Sequence, residues 1–195
     1  MTLCFGFPIE YTPPEDNPLT DTVAPPPVVL MGVSGSGKTT VGEALAKRLG
    51  MPFIEADDLH PKSNRDKMAA GIPLTDEDRW PWLDAMGERL EQVRREGHGV
   101  VATCSALKRA YRDRLRVKVE GPLLFVLLDS PREVLAARMA HRKGHFMPPA
   151  LLASQLATLE RPAPDEPAMM VVDGTRPVDE LVGMIADRLR AGGQG

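Results

Sequence analysis

The strongest constraint on the fold of this chain is the segment GVSGSGKT at residues 32–39. It fits the pattern G-x-x-x-x-G-K-[ST], in which glycines let successive backbone N–H groups curl around anionic phosphate oxygens. In this pattern the ammonium group of Lys38 reaches the β- and γ-phosphates of a nucleotide, and the hydroxyl of Thr39 binds Mg²⁺. We call residues 32–39 the phosphate loop, and it predicts a nucleotide site.

The sequence on either side of the phosphate loop fits the strand–loop–helix order that such a site requires. Residues 27–31 form a short apolar run rich in β-branched side chains, which predicts a buried parallel strand. Apolar residues then recur at helical spacing from Val41 to Leu49, and Gly50 follows as a C-terminal cap. A plain glycine–serine turn is the alternative, but it has no need of a lysine and a hydroxyl at these positions. The predicted nucleotide-binding residues are Gly32, Val33, Ser34, Gly35, Ser36, Gly37, Lys38, Thr39 and Thr40.

Four further apolar runs alternate with helical patterns along the rest of the chain. The runs lie at residues 52–57, 99–103, 123–128 and 169–172. This alternation predicts an α/β fold, in which a doubly wound parallel five-stranded sheet is flanked by helices. Ligands of such sheets bind at the carboxyl ends of the strands, so the residues just after each strand are the candidates for a functional site.

Composition and charge exclude several classes of protein. The 195-residue chain has a formal net charge of −3, with two Trp, two Tyr and five Phe, so neither a basic face nor a base-stacking platform is expected for nucleic acid. No apolar run approaches the roughly 20 residues that span a bilayer, and the start does not resemble a signal peptide, so no membrane partner is predicted. The two cysteines, Cys4 and Cys104, make no disulfide framework, which predicts reduced thiols and a cytoplasmic location.

Residues 1–26 differ from the rest of the chain because they are rich in proline and contain several acidic side chains. This composition predicts a disordered, proline-rich leader. A mis-assigned start, with the folded protein beginning near Pro27, is an alternative that the sequence leaves open. Both interpretations place the folded domain at residues 27–195.

Two acidic side chains end the second predicted strand. Glu55 and Asp57 are two residues apart, so on a strand their side chains share one face and point toward the phosphate loop. A carboxylate at this place can order metal-bound water, or it can accept a proton from an attacking hydroxyl. We predict the proton-accepting role for Asp57. The alternative is an acidic loop that caps the next helix.

Polar side chains of both signs follow these acids and predict the pocket of a second substrate. His60 precedes Asn64 and Lys67, and the last two share one helix face. This mixture suggests an acceptor that is both hydroxylated and anionic. A lone histidine is just as compatible with a structural role, and that alternative stays open.

A second group of candidates follows the third predicted strand. Ser105 lies where small residues let a substrate approach the backbone closely. Lys108 and Arg112 are four residues apart on the next helix and could pair with a carboxylate. The alternative is an ordinary solvated face of a basic helix.

Several cations gather near a glycine later in the chain, a composition typical of a lid that closes over a transferred phosphoryl group. Arg138 and Arg142 are the preferred candidates in this cluster, which precedes Gly144. We predict a mobile lid at about residues 138–150. An exposed helix end, stabilised by the helix dipole, is the alternative.

Taken together, these segments resemble those of gluconokinases of the small P-loop type, which are related to shikimate kinases and nucleoside monophosphate kinases. The similarity covers residues 28–190. The phosphate loop alone identifies only a P-loop protein, whereas the other segments are more specific. They are DDLHP at 57–61, PLTDEDR at 73–79, CSALK at 104–108 and RKGHF at 142–146.

The resemblance implies ATP-dependent phosphorylation of D-gluconate at its 6-hydroxyl, giving 6-phosphogluconate and ADP. It also implies Mg²⁺, with Thr39 and Glu55 near the metal, and a homodimer. It adds Arg79 to the substrate-binding candidates, and it places adenine between Arg138 and a loop that includes Pro177. Two alternatives remain: a kinase of another small hydroxy acid such as shikimate, and a non-catalytic ATP-binding regulatory module. A GTPase is disfavoured because the chain has no Asn-Lys-x-Asp motif.

Overall fold

The computed structural model describes residues 25–140 and 149–192, and within these ranges it contains five strands and seven α-helices. The strands are β1 (Val28–Met31), β2 (Phe53–Glu55), β3 (Val101–Thr103), β4 (Leu124–Asp129) and β5 (Met169–Asp173). The helices are α1 (Lys38–Leu49), α2 (Lys62–Ala69), α3 (Asp76–Arg95), α4 (Arg109–Lys118), α5 (Arg132–Ala140), α6 (Pro149–Thr158) and α7 (Val178–Gly192).

The strands form one parallel sheet in the order β2-β3-β1-β4-β5. Val28 at the start of β1 lies opposite Val101 of β3 and Leu124 of β4. The prediction of a doubly wound, five-stranded parallel sheet is therefore confirmed. Chain order reverses at β1, because β3 follows on one side and β4 on the other. This reversal opens a crevice at the carboxyl end of β1, where the phosphate loop begins.

Alternation along β1 divides the core into two layers. Val28 and Leu30 pack in the layer that contains α1 and α7, which includes Leu45 of α1 and Ile185 of α7. The intervening Val29 and Met31 point to the opposite face and belong to the layer built on α3 and α4. Both faces of the sheet are thus covered, which is why the central strands are uniformly apolar. The covered sheet leaves its carboxyl edge as the place where polar side chains can collect.

The start of α3 is fixed by a capping box between Thr75 and Asp78. The hydroxyl of Thr75 accepts a hydrogen bond from the Asp78 amide at 3.3 Å, and the Asp78 carboxylate accepts one from the Thr75 amide at 2.9 Å. These reciprocal bonds define where the helix begins. The capping box therefore also fixes the positions of Asp76, in the first turn of α3, and of Arg79, just after that turn.

One predicted element differs from the structure. The second strand was expected to extend to Asp57, but β2 ends at Glu55 and a 3₁₀ helix covers Ala56–Leu59. The argument that Glu55 and Asp57 share a strand face is therefore wrong, and the position of Asp57 follows from the 3₁₀ turn. The predicted leader at residues 1–26 lies almost wholly outside the described residues, as does most of the predicted lid. Across the described ranges, none of the helices is both long and apolar enough to cross a membrane.

Candidate active site

The phosphate loop turns sharply between β1 and α1. Gly32, Gly35 and Gly37 have φ angles of 138°, 81° and 95°, a region in which L side chains are strained. Lys38 opens α1, and its Nζ donates a hydrogen bond back to the Val33 carbonyl at 3.1 Å. The positive end of the α1 dipole therefore faces the same loop as the lysine side chain.

A buried hydroxyl supports the assignment of this loop as an anion site. Ser36 is 2% exposed, and its Oγ has no hydrogen-bond partner among the residues that the structure describes. A buried donor that lacks a partner costs free energy unless a ligand or water satisfies it. A phosphate oxygen in the curl of the loop is a group of the right chemistry. The loop therefore fits a nucleotide phosphate group.

Oxygen donors for a divalent cation meet beside the loop. Thr39 Oγ1 donates a hydrogen bond to Glu55 Oε2 at 2.8 Å, which joins the start of α1 to the end of β2. Thr103, at the end of β3, donates to the other oxygen of the same carboxylate. A hydroxyl and a carboxylate are the hard ligands that Mg²⁺ prefers, so this pair fits the ion. Both residues were predicted as metal ligands.

Asp57 lies in the exposed 3₁₀ turn, close to the same centre. Burial raises the pKa of the Cys104 thiol, just after β3, to about 12, and the charges of Asp57, Lys38 and Glu55 also act on it. All three charges therefore act on the residue that follows β3. Asp57 lies just after β2, in the 3₁₀ turn, and the strand argument for its direction does not hold.

The loop after β3 is joined directly to the phosphate loop. The Ser105 carbonyl accepts a hydrogen bond from the Gly32 amide at 3.3 Å. Ala106 follows with a φ of 40°, an unusual conformation for a residue with a side chain. Leu107 and Val33 belong to the same small apolar cluster, so the two loops share a hydrogen bond and a common packing layer. The backbone of Ser105 thus lies next to the phosphate loop, and its predicted contact with substrate stays a prediction.

Arg112 has a different role from the predicted one. Its guanidinium is fully buried and forms a two-point ion pair with Glu166, with N···O distances of 2.5 and 2.8 Å. Its third nitrogen donates to the carbonyls of Ala106 and Leu107. Arg112 is therefore enclosed and shapes the loop that carries Ser105, and we withdraw it as a substrate-binding residue. Glu166 is 54 residues away in sequence, which is why helical spacing alone did not reveal this pair.

Asn64 is also enclosed rather than available to a ligand. Its side chain is 1% exposed, and its Nδ2 donates to the Asp78 carbonyl at 2.7 Å. It therefore ties α2 to the start of α3, and we withdraw it from the substrate-binding set. Lys67 remains partly exposed, but its ammonium is bound to both oxygens of Asp78 at 2.6 and 2.8 Å.

His60 packs flat on Trp82, with ring centroids 4.1 Å apart and planes 15° from parallel. Its Nδ1 lies 3.3 Å from Asn64 Nδ2. Burial, followed by the charges of Arg79 and Arg65, lowers the pKa of His60 to about 4. The imidazole is therefore neutral near neutral pH, and an anionic acceptor would meet a neutral ring at this position.

This histidine gives a pH dependence of stability. The pKa of His60 is about 4 in the folded chain and has its ordinary value of 6.5 in the unfolded chain. Between these pH values the unfolded chain binds a proton that the folded chain does not. The contribution of neutral His60 to the free energy of unfolding is complete above pH 6.5 and is lost as the pH falls toward 4. We expect urea unfolding to show a loss of about 1–2 kcal/mol between pH 6.5 and 5, and His60→Gln to flatten this slope. His98→Gln, at an exposed position, should keep the parent slope, and an unchanged slope in His60→Gln would contradict the assignment.

Cations and a tyrosine gather around Asp76 at the start of α3. Lys108 Nζ donates to both oxygens of this carboxylate, at 2.9 and 2.7 Å, and Tyr111 donates its hydroxyl proton to it at 2.5 Å. Arg79 Nη1 donates to the Tyr111 hydroxyl at 3.3 Å. The hydrogen bonds from Lys108 and Tyr111 lower the pKa of Asp76, which stays ionised. The sequence did not predict a role for Asp76. An acidic side chain is expected in the first turn of a helix even when it has no partner.

Arg138 connects the phosphate loop to the loop after β5. Its Nη2 donates to the Gly174 carbonyl at 2.9 Å, and its Nη1 lies 3.5 Å from the Ser36 carbonyl. Pro177 immediately precedes α7 in the same connection. The structure therefore brings together the two regions predicted to enclose adenine. Arg142 lies outside the described residues.

Sequence reasoning also assigned no role to Gln155 and Glu160, which connect the α6 region to both loops. Gln155 Oε1 accepts a hydrogen bond from the Ser34 amide in the phosphate loop at 2.7 Å. The Glu160 carboxylate accepts one from the Arg109 amide at 2.6 Å, at the start of α4. Both contacts span long sequence separations, so only the folded chain reveals them.

Comparisons with known proteins agree with this site. A family profile described as an AAA domain matches residues 28–162. The chain is 51% identical over 158 residues to a gluconokinase of Gluconobacter oxydans, covering 80% of this chain and 88% of that protein. It is 48% identical over 145 residues to the thermosensitive gluconokinase of Escherichia coli, covering 74% of this chain and 77% of that protein.

A solved structure extends the similarity to three dimensions. The crystal structure of a gluconokinase from Sinorhizobium meliloti matches with a TM-score of 0.78 and 52% identity, covering 87% of this chain and 94% of that chain. A phosphate loop at the switch point of a five-stranded parallel sheet, with a polar acceptor side next to it, defines the class: this is a P-loop kinase. Within that class, the chain belongs to the gluconokinase family.

Proposed function

We propose that the enzyme transfers the γ-phosphoryl group of ATP to the 6-hydroxyl of D-gluconate, giving 6-phosphogluconate and ADP. The observation that carries the proposal is the junction of the phosphate loop with the acceptor side, through the hydrogen bond from the Gly32 amide to the Ser105 carbonyl, in a member of the gluconokinase family. This junction supports a site in which the donor and acceptor groups lie at one edge of the sheet. The relatives described above as gluconokinases support a sugar acid as the acceptor.

On the donor side, the phosphate loop and Lys38 bind the β- and γ-phosphates, and the α1 dipole adds to their attraction. The acceptor oxygen attacks the γ-phosphorus in line, and the bond from that phosphorus to the ADP oxygen breaks. Asp57 orients the 6-hydroxyl and accepts its proton as the new bond forms. Arg138, and Arg142 when the lid closes, stabilise the charge that moves to the leaving group.

Thr39 and Glu55 are the residues that would hold Mg²⁺. When bound, the ion neutralises charge on the phosphate oxygens. The role of this chain is to keep the hydroxyl and carboxylate oxygens together beside the phosphate loop, which the 2.8 Å hydrogen bond between them does. Adenine is proposed to bind between Arg138 and the loop that leads to Pro177.

On the acceptor side, we propose that Arg79, Ser105, Lys108 and Lys67 contact the sugar acid, with neutral His60 as a hydrogen-bonding group. The resemblance implies the homodimer, whereas the location, the leader and the lid are inferred from composition and from the cation cluster. We propose a homodimer, a cytoplasmic location, a folded domain at 27–195 that the 1–26 leader precedes, and a mobile lid at about residues 138–150. No nucleic-acid or membrane partner is proposed.

The test of this function is a coupled assay of ADP release with purified protein, ATP and a panel of acceptors. We expect release that depends on both D-gluconate and Mg²⁺, with a much lower kcat/KM for shikimate. Phosphorus NMR of the product should show a phosphate monoester at carbon 6. Preference for shikimate would favour the other hydroxy-acid kinase. ATP binding without acceptor-dependent release would favour a regulatory module.

A further inference from the structure

Arg79 is held on one side by its neighbours. Its Nη1 donates to the Tyr111 hydroxyl at 3.3 Å and lies 3.5 Å from Asp76 Oδ1. The guanidinium carbon lies 5.7 Å from the centroid of the Tyr111 ring, within the range of a cation–π contact. These contacts restrict the rotation of a side chain that is otherwise flexible. The guanidinium therefore presents a defined orientation to the acceptor side.

The opposite edge of the same guanidinium is available. Within residues 25–140 and 149–192, neither Nε nor Nη2 of Arg79 has a hydrogen-bond acceptor. Three other arginines in this protein use this edge to bind a carboxylate at two points, with N···O distances between 2.5 and 2.8 Å. These pairs are Arg94 with Glu91, Arg112 with Glu166, and Arg114 with Asp84. Arg79 thus offers the two-point geometry that binds planar carboxylates best.

The other cations considered for the acceptor are already engaged. Arg112 is enclosed with Glu166, and the Lys67 ammonium is bound to both oxygens of Asp78. Lys108 donates to both oxygens of Asp76, so its charge is largely balanced. Arg79, Lys108 and ionised Asp76 together leave one net positive charge. One net positive charge matches an acceptor with a single carboxylate.

We propose that Arg79 binds the carboxylate of the sugar acid through Nε and Nη2, and that Asp76 is a positioning residue that holds the guanidinium with Tyr111 and Lys108. This proposal rests on the proposed function and deepens it, because it names the group that distinguishes a sugar acid from a neutral sugar. The hydroxyl to be phosphorylated lies at the other end of the acceptor, toward Asp57. Recognition of the substrate carboxylate is therefore separated in space from phosphoryl transfer to the hydroxyl.

The test compares D-gluconate with D-gluconamide, which keeps the 6-hydroxyl and replaces the carboxylate with a neutral amide. We expect Arg79→Gln to lower kcat/KM for gluconate by about 10–100-fold, because two charge-assisted hydrogen bonds are lost, and to change that for gluconamide by less than about threefold. Arg79→Lys keeps the charge without the two-point geometry, so a loss of about tenfold is expected for gluconate. KM for ATP should remain at the parent value in both variants. An equal loss for both acceptors, or no loss for gluconate, overturns the proposal.

Asp76→Asn tests the positioning role, with Glu77→Gln as the matched control in the same helical turn. Both changes remove one acid from the start of α3, so both alter the interaction with the helix dipole. Only Asp76→Asn should raise KM for gluconate, by about fivefold, with kcat and KM for ATP within about twofold of the parent. Equal KM values for the two variants overturn this role. Turnover of gluconate by the parent protein tests the proposed function separately, whatever the variants do.

Discussion

Lys38→Ala is expected to reduce turnover of D-gluconate by about 10²-fold or more, while leaving gluconate affinity within about threefold of the parent. Lys38 opens α1 and folds back over the phosphate loop to the Val33 carbonyl. There its ammonium can follow the charge that develops on the transferred phosphoryl group. Removal of this charge weakens stabilisation of the transition state, whereas the acceptor side is built from other elements.

The measurement is steady-state kinetics of ADP release, with calorimetric titration of gluconate to separate binding from turnover. Lys47→Ala is the matched control, because Lys47 lies on the same helix at an exposed position away from the loop. We expect that control to retain parent turnover. Near-parent turnover in Lys38→Ala would remove the basis for assigning the phosphate loop as the ATP site.

The fold was predictable because its signals are local. Each buried parallel strand is a short apolar run, and each helix shows its own periodicity, so the alternation defines the architecture without any knowledge of long-range contacts. The phosphate loop follows the first strand, and the structure places that strand at the switch point of the sheet. The capping box of Thr75 and Asp78 was predictable for the same reason, since its partners are three residues apart.

The errors arose where local patterns have more than one structural solution. A strand and a 3₁₀ turn cannot be distinguished from the two residues between Glu55 and Asp57, so the strand was extended too far. Arg112 and Lys108 were expected to share a helix face, but Lys108 is the residue that precedes α4 and pairs with Asp76, whereas Arg112 pairs with Glu166 in the interior. Helical spacing predicts which face of a helix a side chain occupies, but it does not predict the residue with which that side chain pairs. Those partners decide which cation can receive a substrate.

The corrections change how we interpret the acceptor side. Sequence spacing favoured Lys108 and Arg112 as the pair for a carboxylate, whereas the folded chain leaves the two-point edge of Arg79 for that group. Enclosed Arg112 instead shapes the loop that meets the phosphate loop. A residue that was expected to contact substrate thus acts on the site through the backbone. The polar residues of the acceptor side divide into those that bind and those that hold the binding residues in place.

Asp57→Asn is the second change from which a large effect is expected, a loss of about 10²–10⁴-fold in kcat, the range associated with loss of a general base. Asparagine keeps nearly the same shape and one oxygen acceptor but cannot take the proton of the 6-hydroxyl. Because Asp57 lies in the 3₁₀ turn rather than in the sheet, the substitution should leave the core and the stability of the fold almost unchanged. KM for gluconate should therefore change much less than kcat.

Asp58→Asn provides the matched control, since Asp58 is the next residue of the same exposed turn and its change removes the same charge. If proximity of negative charge were the only contribution of this turn, the two variants would lose similar amounts of activity. A general base makes a different prediction, because only Asp57→Asn should also abolish the fall in kcat/KM on the acidic side of the pH–rate profile. Parent-like kcat in Asp57→Asn would exclude Asp57 as the proton acceptor and would leave positioning by the phosphate loop, Lys38 and the acceptor cations as the main source of catalysis.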